Sequence, residues 1–252
     1  MKRLICIALI ILSVSSIVYS QGKRKIELTA QGILARVDRV LQYPDGQIIG
    51  RMKHIRPDGH SFTLNIKAAI ARDNSLFVFN SRKRGDQLKV LYNLGGEDIW
   101  VYNIHAIKLY HKLGIDKYDA VLGTNFSFLD LSSYDLQSNY TASIEGDAFI
   151  KGYDAYKLRL NPIFKGGLYG MLTLYVSKDE FIPLRIDFHD RDKAIYKFLT
   201  ITKIRKYKGR IVPIRYDMMD IRRGTITILR FFKFDDRMKF KREVFRSEKL
   251  GG

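Results

Sequence analysis

Cysteine is nearly absent from this chain: of 252 residues, Cys6 is the single one. It lies in the N-terminal stretch that has the pattern of a signal peptide, so the mature chain left after cleavage would contain no thiol. That excludes a disulfide, a cysteine metal site and a cysteine nucleophile. Few apolar residues precede Cys6, which does not fit a lipid-attachment cysteine. We therefore expect a soluble and unlipidated product.

Long apolar runs are also missing, apart from residues 4–18. Lys2 and Arg3 precede that run, and a small residue, Ser20, ends it, which is the pattern of a cleaved signal peptide. A retained membrane anchor is the alternative, but the run is short for a spanning helix. The pattern predicts export with cleavage near Ser20, leaving 252 − 20 = 232 residues.

Proline is rare, and no Pro/Ser-rich, low-complexity or repeated stretch marks a linker. A chain of this length can bury one large core or two small ones. Without a visible boundary, we expect one domain over residues 21–252.

Acidic residues are in the minority: 26 Asp and Glu face 44 Lys and Arg, a formal net charge of +18 that becomes +16 without Lys2 and Arg3. In an intracellular protein such a balance would suggest nucleic acid. Because the leader predicts export, we expect no nucleic acid partner. Phospholipid head groups, anionic lipid surfaces and envelope polymers are the candidate anions, and a basic surface without a specific partner stays open.

The hydrophobic pattern predicts one early helix followed by strands. Residues 27–40 place apolar side chains on one side, with Thr29 as the N-cap. Residues 62–70 alternate with one wholly apolar face, and turn residues then recur at short intervals, which indicates an antiparallel meander. The later strands, 171–176, 196–204 and 226–234, are apolar on both faces. A single sheet under a lid and an ordinary sandwich both produce that pattern.

Residues 95–131 are the most informative stretch. A Gly-Gly turn leads into a strand, and the stretch ends in an aromatic segment, residues 126–131, that is too apolar for an ordinary loop. Residues 105–133 interrupt the meander and are longer than a hairpin needs. They predict an inserted, amphipathic and partly helical cover.

No catalytic or metal-binding pattern stands out. The histidines of the mature chain show neither a two-His metal spacing nor a Gly-x-Ser-x-Gly elbow: His54, His60, His105, His111 and His189. We predict a protein that is not an enzyme and has no cofactor and no metal. A lipid hydrolase is a weaker alternative.

Three places in the chain resemble one family. They are residues 97–103 after the Gly turn, residues 122–131 with the sequence LGTNFSFLDL, and residues 222–227 followed by Val244, Phe245 and Leu250. In this order they resemble the LolA-like group of periplasmic outer-membrane lipoprotein-sorting proteins. Asn125 stands where that group usually has Asp, Phe128 replaces Tyr and Leu129 replaces Glu.

This resemblance implies a fold and a function. The fold would be mainly β: an incomplete, strongly curved antiparallel β-barrel with an N-terminal helix and a helical or loop lid over an apolar cavity. The function would be a monomeric periplasmic carrier that binds acyl chains of lipoproteins, or related lipids, and delivers them toward the outer membrane. Its partners would be an inner-membrane exporter and an outer-membrane acceptor. The alternative is a non-enzymatic adaptor of an envelope export or assembly complex that docks through its basic surface.

An acyl carrier needs apolar walls, because each buried methylene is worth about 0.8 kcal/mol. A closed core without a hollow is the alternative, and coordinates that leave no room between lid and sheet would favour it. The residues that we expect to line the cavity or its lid are Phe62, Leu64, Ile66, Trp100, Tyr102, Phe126, Phe128 and Leu131.

Overall fold

The structure is a computed structural model that describes residues 28–43, 45–81, 85, 87–132, 135–164 and 166–252. The expected signal peptide, residues 1–20, lies outside the described residues. Within the described ranges, none of the helices is long and apolar enough to cross a bilayer.

The chain is mainly β. Helix α1 spans Ala30–Leu41, and a short helix, α2, spans Leu136–Asn139. The strands are β1 (Gly46–Ile55), β2 (Ser61–Ala71), β3 (Asn74–Asn80), β4 (Gln87–Asn93), β5 (Asp98–Asn103), β6 (Lys108–Lys112), β7 (Tyr140–Ile150), β8 (Tyr153–Pro162), β9 (Met171–Ser177), β10 (Pro183–His189), β11 (Ile195–Tyr207), β12 (Arg210–Asp220) and β13 (Thr225–Asp235).

All these strands belong to one 13-stranded antiparallel sheet, in the order β6-β5-β4-β3-β2-β1-β13-β12-β11-β10-β9-β8-β7. Strand β1 pairs with β13, which joins the two ends of the meander at the middle of the sheet. Strands β6 and β7 are the two edges, and no pairing between them closes the sheet within the described residues. The predicted meander and incomplete barrel are confirmed.

Helix α1 forms where the periodicity predicted it. The Thr29 side chain accepts a hydrogen bond from the Gly32 amide, and Ile33, Leu34 and Val37 are fully buried. The helix packs along β7 and β12. We call the face of the sheet that meets α1 the inner face.

The inner face carries the core, and the strand alternation explains why. In β2, Leu64 and Ile66 are buried on that face while Asn65 and Lys67 are exposed on the other. The largest apolar cluster lies between the inner face, α1 and residues 113–132. One covered sheet, and not a sandwich, therefore accounts for the apolar strands.

The C-terminal segment covers part of the opposite, outer face. Phe245 and Leu250 pack there with Leu91 of β4. The Lys89 ammonium donates to the carbonyl of Leu250 at 2.8 Å. The last residues thus close a second, smaller apolar cluster behind strands β3 to β5.

The interrupting segment differs in detail from the prediction. Its first part is the edge strand β6, and its helical turns are short 3₁₀ helices at Gly114–Tyr118, Val121–Gly123 and Leu129–Leu131. Gly114 and Gly123 have positive φ angles of 49° and 77°, and so does Leu122 at 49°, which interrupts α-helix. The cover is present, but as a folded loop.

Candidate functional site: the lid and the space beneath it

We define the lid as residues 113–132, which cross the inner face. Its loop is held by its own backbone: the Val121 amide donates to Phe126 O at 2.8 Å and the Phe128 amide to Asp119 O at 3.1 Å. This fold presents the aromatic side chains to the sheet, where Phe126 is 1% exposed and Phe128 5%. The aromatic segment predicted to cover something does so.

Asn125 attaches the lid to the ends of β12 and β13. Its side-chain amide donates to the carbonyls of Met218 at 3.1 Å and Thr225 at 2.8 Å. Its carbonyl oxygen accepts from the Thr225 hydroxyl at 2.7 Å, and its backbone amide donates to the Thr227 hydroxyl at 3.0 Å. An aspartate here would have no hydrogens to give to the two carbonyls.

Asp130 attaches the lid to β11 through a buried ion pair. Its carboxylate lies 2.7 Å from the Lys197 ammonium and accepts from the Tyr169 hydroxyl at 2.7 Å and the Ser127 amide at 2.8 Å. Lys197 also donates to the Tyr169 oxygen at 2.8 Å. Burial, and then the nearby Asp130 charge, raise the pKa of Tyr169 well above its ordinary value, so its hydroxyl keeps the proton that it donates.

These contacts are polar anchors inside an apolar surface. The Lys197 ammonium lies 4.5 Å from the centroid of the Phe188 ring, and both ends of the ion pair are almost fully buried. A buried pair stabilises little against an apolar replacement, but losing one partner is costly. The anchors therefore define one closed position for the lid and add little net adhesion.

Two of the cavities in the described part of the chain border the closed lid. The smaller, about 60 Å³, lies between the lid and the inner face, where Phe126 and Leu131 meet Phe77, Leu229 and Phe231. The larger, about 290 Å³, lies between the lid, the turn before β5, and the chain at the start of β7 and the end of β8. Ligand pockets usually measure roughly 300–1,000 Å³. With the lid closed, side chains fill most of the expected hollow.

Aromatic and apolar side chains contribute to the wall of the larger cavity. From the lid side it is lined by Tyr118 and Leu129, and from the β7 side by Tyr140 and Phe164. Phe164 is 71% exposed at its rim. The same cavity also has charged lining residues, among them Glu97, Lys117 and Asp135.

The predicted residues divide between the two faces. Leu64 and Ile66 are buried on the inner face, and Phe62 is half-buried beside them. Phe126 and Leu131 line the smaller cavity. Phe128 is buried in the same apolar cluster. These six residues lie on the inner side of the sheet, Phe126 and Leu131 are the ones among them that line either cavity, and the acyl-chain role of the set stays a prediction.

Trp100 and Tyr102 lie on the outer face. They pack in the small cluster with Phe245 and Leu250, because their neighbours Ile99 and Val101 take the inner face. The structure does not bring these two aromatic residues to either cavity.

The sequence reasoning missed the residues that anchor the lid. These anchors come from three parts of the chain: the lid supplies Asn125 and Asp130, the loop before β9 supplies Tyr169, and β11 supplies Lys197. One signal was available: Lys197 is a lone charge at a core-facing position of an apolar strand, where a lysine is rarely buried without a partner.

Comparison with known proteins places the chain in a family. A protein-family model described as uncharacterized protein-like matches residues 71–251, which is most of the chain. The chain belongs to this family. No curated protein matches it.

The solved structures show that the fold of this family member is LolA-like. A DUF1329 family protein from Desulfovibrio piger is 22% identical, with a TM-score of 0.77 over 88% of this chain and 97% of that chain. A putative outer membrane lipoprotein-sorting protein domain from Vibrio parahaemolyticus is 18% identical, with a TM-score of 0.79 over 88% and 98%. A LolA superfamily protein from Nitrosomonas europaea is 19% identical, with a TM-score of 0.72 over 88% and 99%. The predicted resemblance and fold class are confirmed.

Proposed function

We propose that this LolA-like chain is a lipid carrier that shelters hydrocarbon between the inner face of its sheet and the lid. The observation that carries the proposal is the lid itself: apolar side chains lie on an apolar sheet face, and buried polar groups set their position. Two proteins of similar fold are described as a lipoprotein-sorting domain and a LolA superfamily member. The cargo is therefore the lipid part of a lipoprotein or a related lipid.

Loading requires the lid to move. In the closed state Phe126 and Phe128 occupy the place of the acyl chain, and the cavities of about 60 and 290 Å³ are the beginnings of the path. When the lid lifts, a hydrocarbon tail replaces the aromatic side chains on the inner face. Because each sheltered methylene is worth about 0.8 kcal/mol, a tail offsets the loss of the lid contacts.

The same proposal includes the cellular location of the carrier and its partner proteins. Residues 1–20 direct export to the periplasm, and the carrier receives its lipid from an inner-membrane exporter and releases it to an outer-membrane acceptor. Undirected apolar burial suits such a carrier, since release then depends on lid opening at the acceptor and not on breaking directed contacts with the cargo. No chemical step is part of this role.

Titration of delipidated protein with a fluorescent fatty acid tests the carrier. We expect saturable, stoichiometric binding. Absence of binding at micromolar ligand would contradict the carrier and favour the adaptor that docks through its basic surface.

Incubation with labelled phospholipid tests the alternative that the protein is a lipid hydrolase, and we expect no released fatty acid.

Phe126→Asp should abolish this binding while the sheet stays folded, because a carboxylate would face the hydrocarbon. The matched control is Phe149→Asp, at a phenylalanine that is 75% exposed near the end of β7. Far-ultraviolet circular dichroism checks folding of both variants. Parental affinity in a folded Phe126→Asp variant would show that the lid does not cover the lipid site.

A further inference from the structure

Four basic residues form a row across the outer face of the sheet. The strand registers place Arg51 of β1 opposite Arg230 of β13, Arg230 opposite Arg215 of β12, and Arg215 opposite Lys203 of β11. We call these four residues the basic row. Arg51, Arg230 and Lys203 are exposed, and Arg215 is half-buried.

The row is electrostatically unfavourable by itself. Neighbouring strands lie about 4.8 Å apart, and like charges directly opposite each other destabilise a sheet. Among the described residues, one ion pair involves the row: the Arg215 guanidinium lies 2.9 Å from the Asp217 carboxylate. Arg51 donates to the neutral side chain of Asn65 at 3.3 Å. Four positive charges thus share one carboxylate, and a bound anion would relieve their repulsion.

Within the described part of the chain, the strip around the row is open to solvent. The lid and α1 pack on the inner face, and the C-terminal segment covers the outer face behind β3 to β5. Exposed lysines flank the row on β1, β2 and β13, at Lys53, Lys67 and Lys233. Two apolar side chains of β13 are exposed as well: Ile226 at 36% and Phe232 at 42%.

We propose that the outer face of β1, β11, β12 and β13 docks on an anionic phospholipid surface. Basic side chains near a bilayer are attracted to anionic head groups, and interspersed apolar side chains enter the boundary between head groups and acyl chains. Arginines suit this contact because the guanidinium fork matches phosphate oxygens. Phe232 and Ile226 favour a lipid surface over an acidic protein segment, which would need only the charges. The inference does not depend on the proposed lipid cavity, which is on the other face.

Vesicle sedimentation tests the surface. Purified mature protein is mixed with vesicles of phosphatidylcholine alone, or of phosphatidylcholine with phosphatidylglycerol, at low and high salt. We expect binding to the phosphatidylglycerol vesicles only, with loss at high salt because screening weakens the attraction. The double variant Arg51→Gln/Arg230→Gln should bind about 25-fold more weakly, since each basic residue contributes on the order of fivefold to vesicle affinity.

The matched control is Arg191→Gln/Lys193→Gln, which removes the same charge from the exposed turn before β11. It should sediment like the parent. Equal loss in both double variants, or no preference for phosphatidylglycerol, would overturn the proposal. So would binding to polyglutamate without binding to vesicles, which would make the face a protein-docking surface.

Thermal denaturation separates lost docking from lost folding. Relief of repulsion between Arg51 and Arg230 should leave the melting temperature of their double variant no lower than that of the parent. If that melting temperature is lower, a second double variant, Arg51→Lys/Arg230→Lys, distinguishes lost docking from lost folding, because it keeps both positive charges. Retained vesicle binding by that variant supports the docking surface, and lost binding contradicts it. Fatty-acid titration is expected to be unchanged in all these variants, so this proposal and the lipid carrier can fail separately.

Discussion

Lys197 shows how a single side chain sets the position of a segment far away in sequence. Its ammonium reaches Asp130 of the lid and the Tyr169 oxygen, and three hydrogen-bonding groups therefore meet in an apolar surrounding. Inside a protein, such a group is stable only while each member has its partners. The lid is consequently sensitive to losses that would be harmless on the surface.

We predict that Lys197→Met destabilises the protein by about 3–5 kcal/mol, because Asp130 then keeps a buried charge without its cation. Urea unfolding measures the change. The double variant Lys197→Met/Asp130→Asn should cost less than the two single changes added together. Lys157→Met is the control, since its ion pair with Glu145 is partly exposed and should contribute little. Additive effects at Lys197 and Asp130 would mean that the pair does not act as a unit.

The junction of α1 and α2 depends on Asp38. Its carboxylate accepts from the backbone amides of Leu136 and Gln137, each at 2.9 Å, and so fixes the chain just after the lid onto α1. Burial raises the pKa of Asp38 from 3.8 to about 6 even though these hydrogen bonds lower it. Helices α1 and α2 are thus joined at a titratable carboxyl.

This shift predicts a pH dependence. From pH 3.8 to about 6 the folded state binds a proton that the unfolded chain has released, so the contribution of Asp38 to stability falls as pH rises through that window. Above it the contribution stays constant. The free energy of unfolding of the parent minus that of Asp38→Asn should therefore decrease between these pH values and then level off. Parallel pH profiles of the two proteins would contradict the prediction.

The pairing of β1 with β13 ties the two ends of the meander together and makes one sheet of the described chain. We propose that residues 21–252 are a single domain, and we expect one cooperative unfolding transition. Differential scanning calorimetry checks it: the calorimetric and van't Hoff enthalpies should agree. Two resolved transitions would instead indicate that the sheet unfolds in separate parts.

The local pattern of apolar and polar residues was sufficient to locate helix α1 and strand β2. Periodicity located α1, with its start three residues and its end one residue too early, and alternation located β2 within one residue at each end, because side-chain period is a property of neighbouring residues. The interruption of the meander at residues 105–133, longer than a hairpin needs, placed the lid. Local pattern did not give the helical content of the lid, where positive φ angles at Leu122 and Gly123 favour a folded loop.

By itself, therefore, the sequence determined the class of fold, the order of its elements and which segment covers the sheet. Only the tertiary structure decided which face of β5 points inward, so that Trp100 and Tyr102 lie outside, and which side chains hold the lid. The physical reason is that alternation makes two faces without saying which one meets the core. Partners such as Asp130 and Lys197 meet only when strands distant in sequence are brought into register.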